Sequence, residues 1–203
     1  MRVSRLQAEE NRQTVINVAS RLFRERGFDG IGLKDLMKGA GLTQGAFYKQ
    51  FASKNDLVAQ ASKRALDSAL HRWSAAAAER PQDPLGAVTD FYLNMGHCAE
   101  RADGCPVVAL GSDVARQDAD VKAAFEAGIK EYLALLSGWI GESEADGDEP
   151  EGKAMAMLST MVGAMVLSRA VNDEQLSKQF LQAAADSVLA ASPASNAAQG
   201  SRQ

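Results

Sequence analysis

Apolar residues recur at helical spacing along almost the whole chain, and no segment shows the strict apolar–polar alternation of a half-buried strand. In 9–26, Val15, Val18, Ala19, Leu22 and Phe23 share one face, and Gly27 stops the run. Residues 33–40 direct Leu33, Leu36, Met37 and Ala40 inward, and Gly41 breaks that helix. Thr43 offers an N-cap to 44–51, where Ala46, Phe47 and Phe51 lie on one side. Ser53 and Asp56 form a variant capping box at the start of a long helix over 54–78. Further helices are predicted over 85–101, 107–115, 119–140, 153–170 and 173–191, with breaks at Arg80–Pro84 and Asp103–Pro106. The acidic run 141–152 reads as a loop, and the small polar residues 192–203 as a disordered tail. The fold class is therefore all-α, about nine helices, with three helices ahead of one long connector.

Ala154 to Val171 is nearly all apolar, but Ser159, Thr160, Ser168 and Arg169 interrupt it. A membrane span needs about 20 predominantly apolar residues, so a buried helix is expected instead. With 203 residues, 46% apolar and 24% charged, the chain has a globular composition that excludes wholesale disorder. Two cysteines cannot supply a disulfide framework, and two histidines leave little for a metal site, so no metal or cofactor is expected. The polar start MRVSRLQAEENRQ lacks the apolar core of a signal peptide, which makes the cytoplasm the expected compartment. No acid–base pair at convincing spacing, phosphate-cradling glycine loop or nucleophile motif argues for an enzyme.

The net charge of −4 conceals an asymmetry. Residues 1–64 carry 12 Lys and Arg against 6 Asp and Glu, whereas 65–203 carry 10 against 20. A basic first third suggests a polyanionic partner. Within it, LKDLMKGA, Gly-Leu and TQGAFYKQF read as helix, short glycine turn and helix, the plan of a helix-turn-helix whose second helix enters the major groove. Ala40 is small where the two helices should cross, and Gly41 can take the turn conformation. The face of the second helix opposite Ala46, Phe47 and Phe51 offers Thr43, Gln44, Gly45, Tyr48 and Lys49. Gln44 can both donate and accept at a base edge. Thr43 can reach a phosphate or a thymine methyl, and Gly45 lets the backbone approach closely. Tyr48 and Lys49 suit phosphates. Lys54 joins them at a helix start whose N–H groups also face anions.

Residues 13–58, above all GLTQGAFYKQFASKNDLV, resemble the DNA-binding domain of TetR-type (TetR/AcrR) transcriptional regulators. The likeness includes the first helix ending in LFRERGFDG, the turn glycine, the Phe-Tyr-Lys-x-Phe run and the Ser-Lys-x-x-Leu that follows. It implies a homodimer with two heads on operator DNA. It also implies a helical body that binds a small effector and dimerises through its last two long helices. Matched by position, Thr43, Gln44, Gly45, Tyr48, Lys49 and Lys54 fall on the DNA-facing part of the motif. Gly32 departs from the Ser or Thr common at the opening of the second helix, which removes a phosphate contact and weakens the N-cap. The expected domains are a head over 1–53, an effector and dimerisation body over 54–191, and the tail.

In the body, helix 153–170 is apolar on nearly every side, as burial from two directions requires. Leu158, Val162, Met165, Val166, Phe180, Leu181, Ala184 and Val188 are the expected dimer face. Phe91, Met95, Phe125, Ile129, Leu133, Met157 and Met161, with Trp139, are candidates for a pocket that takes an apolar or aromatic effector. Cys98 and Cys105 flank Arg101, and Cys105 stands between Gly104 and Pro106, where an accessible turn would expose it. The alternative to a ligand switch is therefore the same head released by cysteine oxidation or electrophile modification.

Overall fold

A computed structural model describes residues 4–140 and 150–190. The expected tail over 192–203, residue 191 and residues 141–149 of the expected acidic loop lie outside the described residues. The described chain forms ten helices: α1 (Arg5–Arg26), α2 (Leu33–Gly39), α3 (Gln44–Phe47), α4 (Lys54–Glu79), α5 (Pro84–Tyr92), α6 (Met95–Ala99), α7 (Pro106–Val114), α8 (Ala119–Ile140), α9 (Pro150–Ala170) and α10 (Glu174–Ala190). No strand occurs among the described residues. None of the described helices is long and apolar enough to cross a membrane.

The chain divides into two compact units, Met1–Ala69 with Arg101–Gly128, and Leu70–Glu100 with Ile129–Gln203. The boundary drawn from sequence at 53/54 falls inside the first unit. In that unit Val15, Ile16, Ala19 and Phe23 of α1 are buried together with Phe28, Leu36, Met37, Phe47, Phe51, Leu57 and Val58. Each such large side chain contributes about 1.5–3 kcal/mol of transfer free energy. Phe23 meets Phe28 edge-on at 5.4 Å between ring centres, and Phe47 stacks on Phe51 at 5.3 Å. α1 and α2 approach each other closely at Gly39. A Cβ on Gly39 would stand 3.0 Å from Val18 Cγ1 and 3.4 Å from Leu22 Cδ1. Arg24 is a buried cation whose Nη1 donates to Gly104 O at 2.9 Å and whose Nε donates to Ser20 O at 3.0 Å, so it ties α1 to the segment before α7.

The second unit is built around Trp73, which lies edge-on to Tyr92 at 5.5 Å and to Tyr132 at 4.6 Å. α10 packs along α9, placing Leu181, Ala184 and Val188 in the core with Met157, Met161 and Met165. α9 begins at Pro150, three residues earlier than periodicity indicates, because proline suits a first helical turn with no N–H to satisfy. The helix expected over 85–101 is two helices. Leu93 leaves helical geometry (ψ 61°), and Asn94 closes one helix and opens the next. Its Nδ2 donates to Asp90 O and Phe91 O at 2.9 and 2.8 Å, while its Oδ1 accepts from His97 N at 2.9 Å. At the far end of α6, Arg169 donates to the carbonyls of His97, Cys98 and Glu100 at 2.9–3.0 Å, satisfying groups that the helix end leaves open.

Candidate nucleic-acid interface

Local chemistry sets the frame of the first unit. α1 is capped by Ser4 Oγ, which accepts from Gln7 N at 3.1 Å, and ends at Gly27 with φ +74°. Gly32 stands at the start of α2 and supplies no side-chain cap, as its missing hydroxyl dictates. Gly41, at φ +70°, turns the chain after α2, and Leu42 N closes onto Met37 O at 2.9 Å. Thr43 occupies the N-cap position of α3 but its hydroxyl makes no capping bond. The helix expected over 44–51 is only Gln44–Phe47, continued by turns in which Gln50 N and Phe51 N donate to Phe47 O at 2.8 and 3.0 Å.

Those turns keep Phe47 and Phe51 inside and leave the other face open. Thr43, Gln44, Gly45, Tyr48 and Lys49 are all exposed, Tyr48 by 69%. Tyr48 is nevertheless held, since its ring meets Phe47 edge-on at 5.3 Å and 88°. No atom comes within 4 Å of a Cβ built on Gly45. Lys54 differs from this group: it is half-buried, and its Nζ donates to Phe28 O at 2.6 Å, bracing the turn after α1.

Two features of the frame, the Arg12 lock and the lysines of α2, escape periodicity, while the capping box expected at Ser53 and Asp56 forms with its second bond shifted by one residue. Arg12 Nη2 donates to Gln60 Oε1 at 2.5 Å, and its guanidinium lies 5.3 Å over the Phe51 ring, locking α1 to α4 and to the end of the α3 segment. Ser53 Oγ accepts from Asp56 N at 3.0 Å, while Asp56 reaches back to Ala52 N at 2.9 Å, one residue beyond the usual capping-box partner. Lys34 and Lys38 on α2 are exposed like Lys49, and none of the three has a carboxylate partner among the described residues. Nothing in their spacing distinguishes them from an ordinary solvated face.

In the second unit the expected pocket residues are divided. Phe91 lines a groove with Arg72 and Arg80, Met95 a second with Leu93 and Leu181, and Leu133 a third with Lys130 and Pro150. Met157 and Met161 are core residues, Ile129 and Trp139 are half-buried, and Phe125 is buried in the first unit. Of the expected dimer face, Met165, Leu181, Ala184 and Val188 are already covered within the chain, and Leu158 nearly so. Val162 and Phe180 are half-buried, and Val166 is 43% exposed beside Leu167. Both thiols are buried. Cys98 Sγ lies 3.3 Å from Ser168 Oγ, and Cys105 is at the N-cap position of α7, so the accessible turn expected for it does not form. Burial lowers the His97 pKa below 6.5, opposed by its ring bond to Tyr92 O at 2.8 Å.

Comparison with known proteins agrees with this architecture. Residues 15–61 match the N-terminal domain of bacterial regulatory proteins of the TetR family, and residues 84–187 match the C-terminal domain of LmrA/YxaF-like transcriptional regulators. The transcriptional regulator LmrA of Bacillus subtilis is 22% identical over 160 residues, covering 77% of this chain and 82% of its own. The repressor NemR of Escherichia coli is 28% identical over 131 residues, 63% of this chain and 66% of its own. The crystal structure of reduced NemR superposes with a TM-score of 0.74 over 88% of this chain and 95% of that one, at 22% identity. A TetR-family regulator from Cytophaga hutchinsonii superposes at 0.79 over 95% and 99%, at 18% identity, so the fold is shared at low sequence similarity. With its head and most of its body matched by these two domain families, the chain belongs to the TetR family of bacterial regulatory proteins.

Proposed function

We propose that this regulator is a cytoplasmic homodimeric repressor that binds operator duplex DNA through α3 and is released by a small apolar or aromatic effector. The observation that carries the DNA-binding part is the open face of Thr43, Gln44, Gly45, Tyr48 and Lys49 on a frame fixed by Phe47, Phe51 and the Arg12 lock. Gln44 reads a base edge, and Tyr48 and Lys49 fix the register on phosphates. Lys34 and Lys38 add unpaired positive charge from α2. Lys54 braces the head, and any part it plays at phosphate is secondary to that bond.

The dimer reading rests on α9. One of its faces, with Met157, Met161 and Met165, is core, while the other carries Met155, Val162, Gly163, Val166 and Leu167 with little polar cover. The effector shifts the protein between binding-competent and released conformations by its difference in affinity for the two. A thiol switch would act on the same head, but burial of both sulfurs favours the ligand reading. Cys98→Ser and Cys105→Ser separate the two, because only a thiol switch loses release by oxidant in these variants.

A gel-shift titration on the DNA upstream of the coding region, with excess nonspecific competitor, tests the core of the proposal. The expected result is a discrete complex that survives competitor and weakens about tenfold in Tyr48→Ala and in Lys49→Ala, with the salt slope reduced by about one in the lysine variant. Equal affinity for competitor, or no change in both variants, would overturn it.

A further inference from the structure

The first unit holds a cleft of about 210 Å3 that includes none of the recognition residues. Asn17, Ser20, Arg21 and Arg24 line it from one face of α1, at the spacing of successive helical turns. Arg64 and Ser68, four apart on α4, line it from the other side. Asp103 is its carboxylate, and it is shared: Arg21 Nη2 is 3.1 Å from Oδ2, and Arg24 Nη2 is 3.7 Å from Oδ1. Arg64 has only a neutral partner, donating from Nε to Asn17 Oδ1 at 2.9 Å, and forms no ion pair among the described residues. Three guanidinium groups thus face one carboxylate.

Positive charge in excess of its counter-charge is costly where water is displaced, and here one wall is dry. The Arg24 side chain is 4% exposed and Ser20 is 3% exposed. Bonds to the carbonyls of Ser20 and Gly104 prevent the Arg24 guanidinium from swinging out to solvent. Arg64 sits at the exposed rim, so the cleft grades from a fixed buried cation to an accessible one. Guanidinium forks and hydroxyl donors match the oxygens of a tetrahedral or planar oxyanion. The volume is below the roughly 300–1,000 Å3 of sites for drug-sized ligands, which restricts the occupant to a small ion.

We propose that this cleft binds a small dianionic oxyanion of sulfate or phosphate size, which joins α1 to α4 inside the head. The site is independent of the effector reading, since it lies within the first unit and shares no residue with α3. Isothermal titration calorimetry of the full chain without DNA, with sodium sulfate and sodium phosphate against sodium chloride at matched ionic strength, tests it. The expected result is a saturable heat for sulfate and phosphate that chloride does not give. Arg64→Gln should raise the dissociation constant about tenfold or more, because it removes a charge-assisted contact. Ser68→Ala should raise it less, and Lys122→Gln on the exposed face of α8 should leave it unchanged. Arg64 makes a single side-chain bond, so its variant is expected to keep the wild-type melting curve. No heat beyond chloride, or the same affinity in Arg64→Gln as in wild type, would overturn the proposal. Displacement of bound sulfate by random-sequence duplex DNA would assign the cleft to backbone phosphate and reject the free ion.

Discussion

Gly45 separates what the residue does for folding from what it does for recognition. It is helical and exposed, and an added Cβ meets no atom within 4 Å. Gly45→Ala is therefore expected to raise stability by up to about 1 kcal/mol in urea unfolding, the difference in helix propensity. The same methyl should weaken operator binding in the gel shift, because it stands where the backbone is to approach DNA. A variant that binds as wild type does would remove Gly45 from the interface. Gly41 gives the opposite pairing: its φ of +70° makes Gly41→Ala cost about 1–2 kcal/mol although its surroundings are open. His97 supplies a pH test at the same scale. Burial depresses its pKa, and Arg169 and Arg72 act in the same direction, while Tyr92 O and Glu100 oppose them. The unfolded chain then binds more protons than the folded one below the ordinary value of 6.5, so stability is complete above that pH and declines as pH falls towards the folded value. Urea midpoints measured on both sides of 6.5 should show this decline, and His97→Gln should flatten it.

At the scale of elements, Asn94 is the clearest case of one side chain deciding two helices. Asn94→Ala removes an N-cap bond to His97 N and two bonds to the last carbonyls of α5. A loss of about 1–2 kcal/mol in urea unfolding is expected, as for other N-caps. No loss would mean that Arg169 alone holds α6. This junction also shows where sequence reading stops. An asparagine among Phe91, Met95 and Cys98 is indistinguishable from an exposed polar position on a continuous helix, because its capping bonds depend on a local turn that periodicity does not report. The head was more legible, since Ser53 and Asp56, Gly27 and Gly41 act through bonds and dihedrals of adjacent residues. Even there the close approach of α2 to α1 at Gly39 gives no signal in the sequence, because only the rotation of α2 against Val18 distinguishes that glycine from an ordinary exposed helical position. The pocket residues were least legible: Phe91, Met95 and Leu133 are each apolar and half-buried, yet line different grooves. Composition identifies a residue that can touch a ligand, whereas tertiary packing decides which of them share a cavity. The burial of Cys105 has the same origin, because Gly104 and Pro106 describe a turn but not what covers it.

For the whole molecule, charge and apolar surface point to different partners. The excess of Lys and Arg lies in residues 1–64, and the excess of Asp and Glu in the remainder, so attraction to a polyanion is local to the head. α9 has the complementary property: it is apolar outside as well as inside. Its inner face is complete, with Met161 and Met165 at 0% exposure, whereas Met155, Val166 and Leu167 are 43–48% exposed and Gly163 has open space beside it. Exposed aliphatic residues next to a small one allow a second helix to approach closely, and a charge placed there is unpaired in an assembled dimer but solvated in a monomer. Val166→Arg is therefore expected to give a folded monomer with the wild-type helical content, whereas Met161→Glu should disrupt the fold itself. Sedimentation velocity distinguishes the two, with a dimer for the wild type and a monomer for Val166→Arg. A monomer presents one recognition helix to a two-fold operator and loses the second, linked contact, so operator affinity should fall about a hundredfold or more. Affinity for random duplex should fall far less, because phosphate contacts from one head persist. A Val166→Arg protein that remains dimeric would place the interface away from this face of α9, and the covered residues Leu181, Ala184 and Val188 would then serve the protomer core alone.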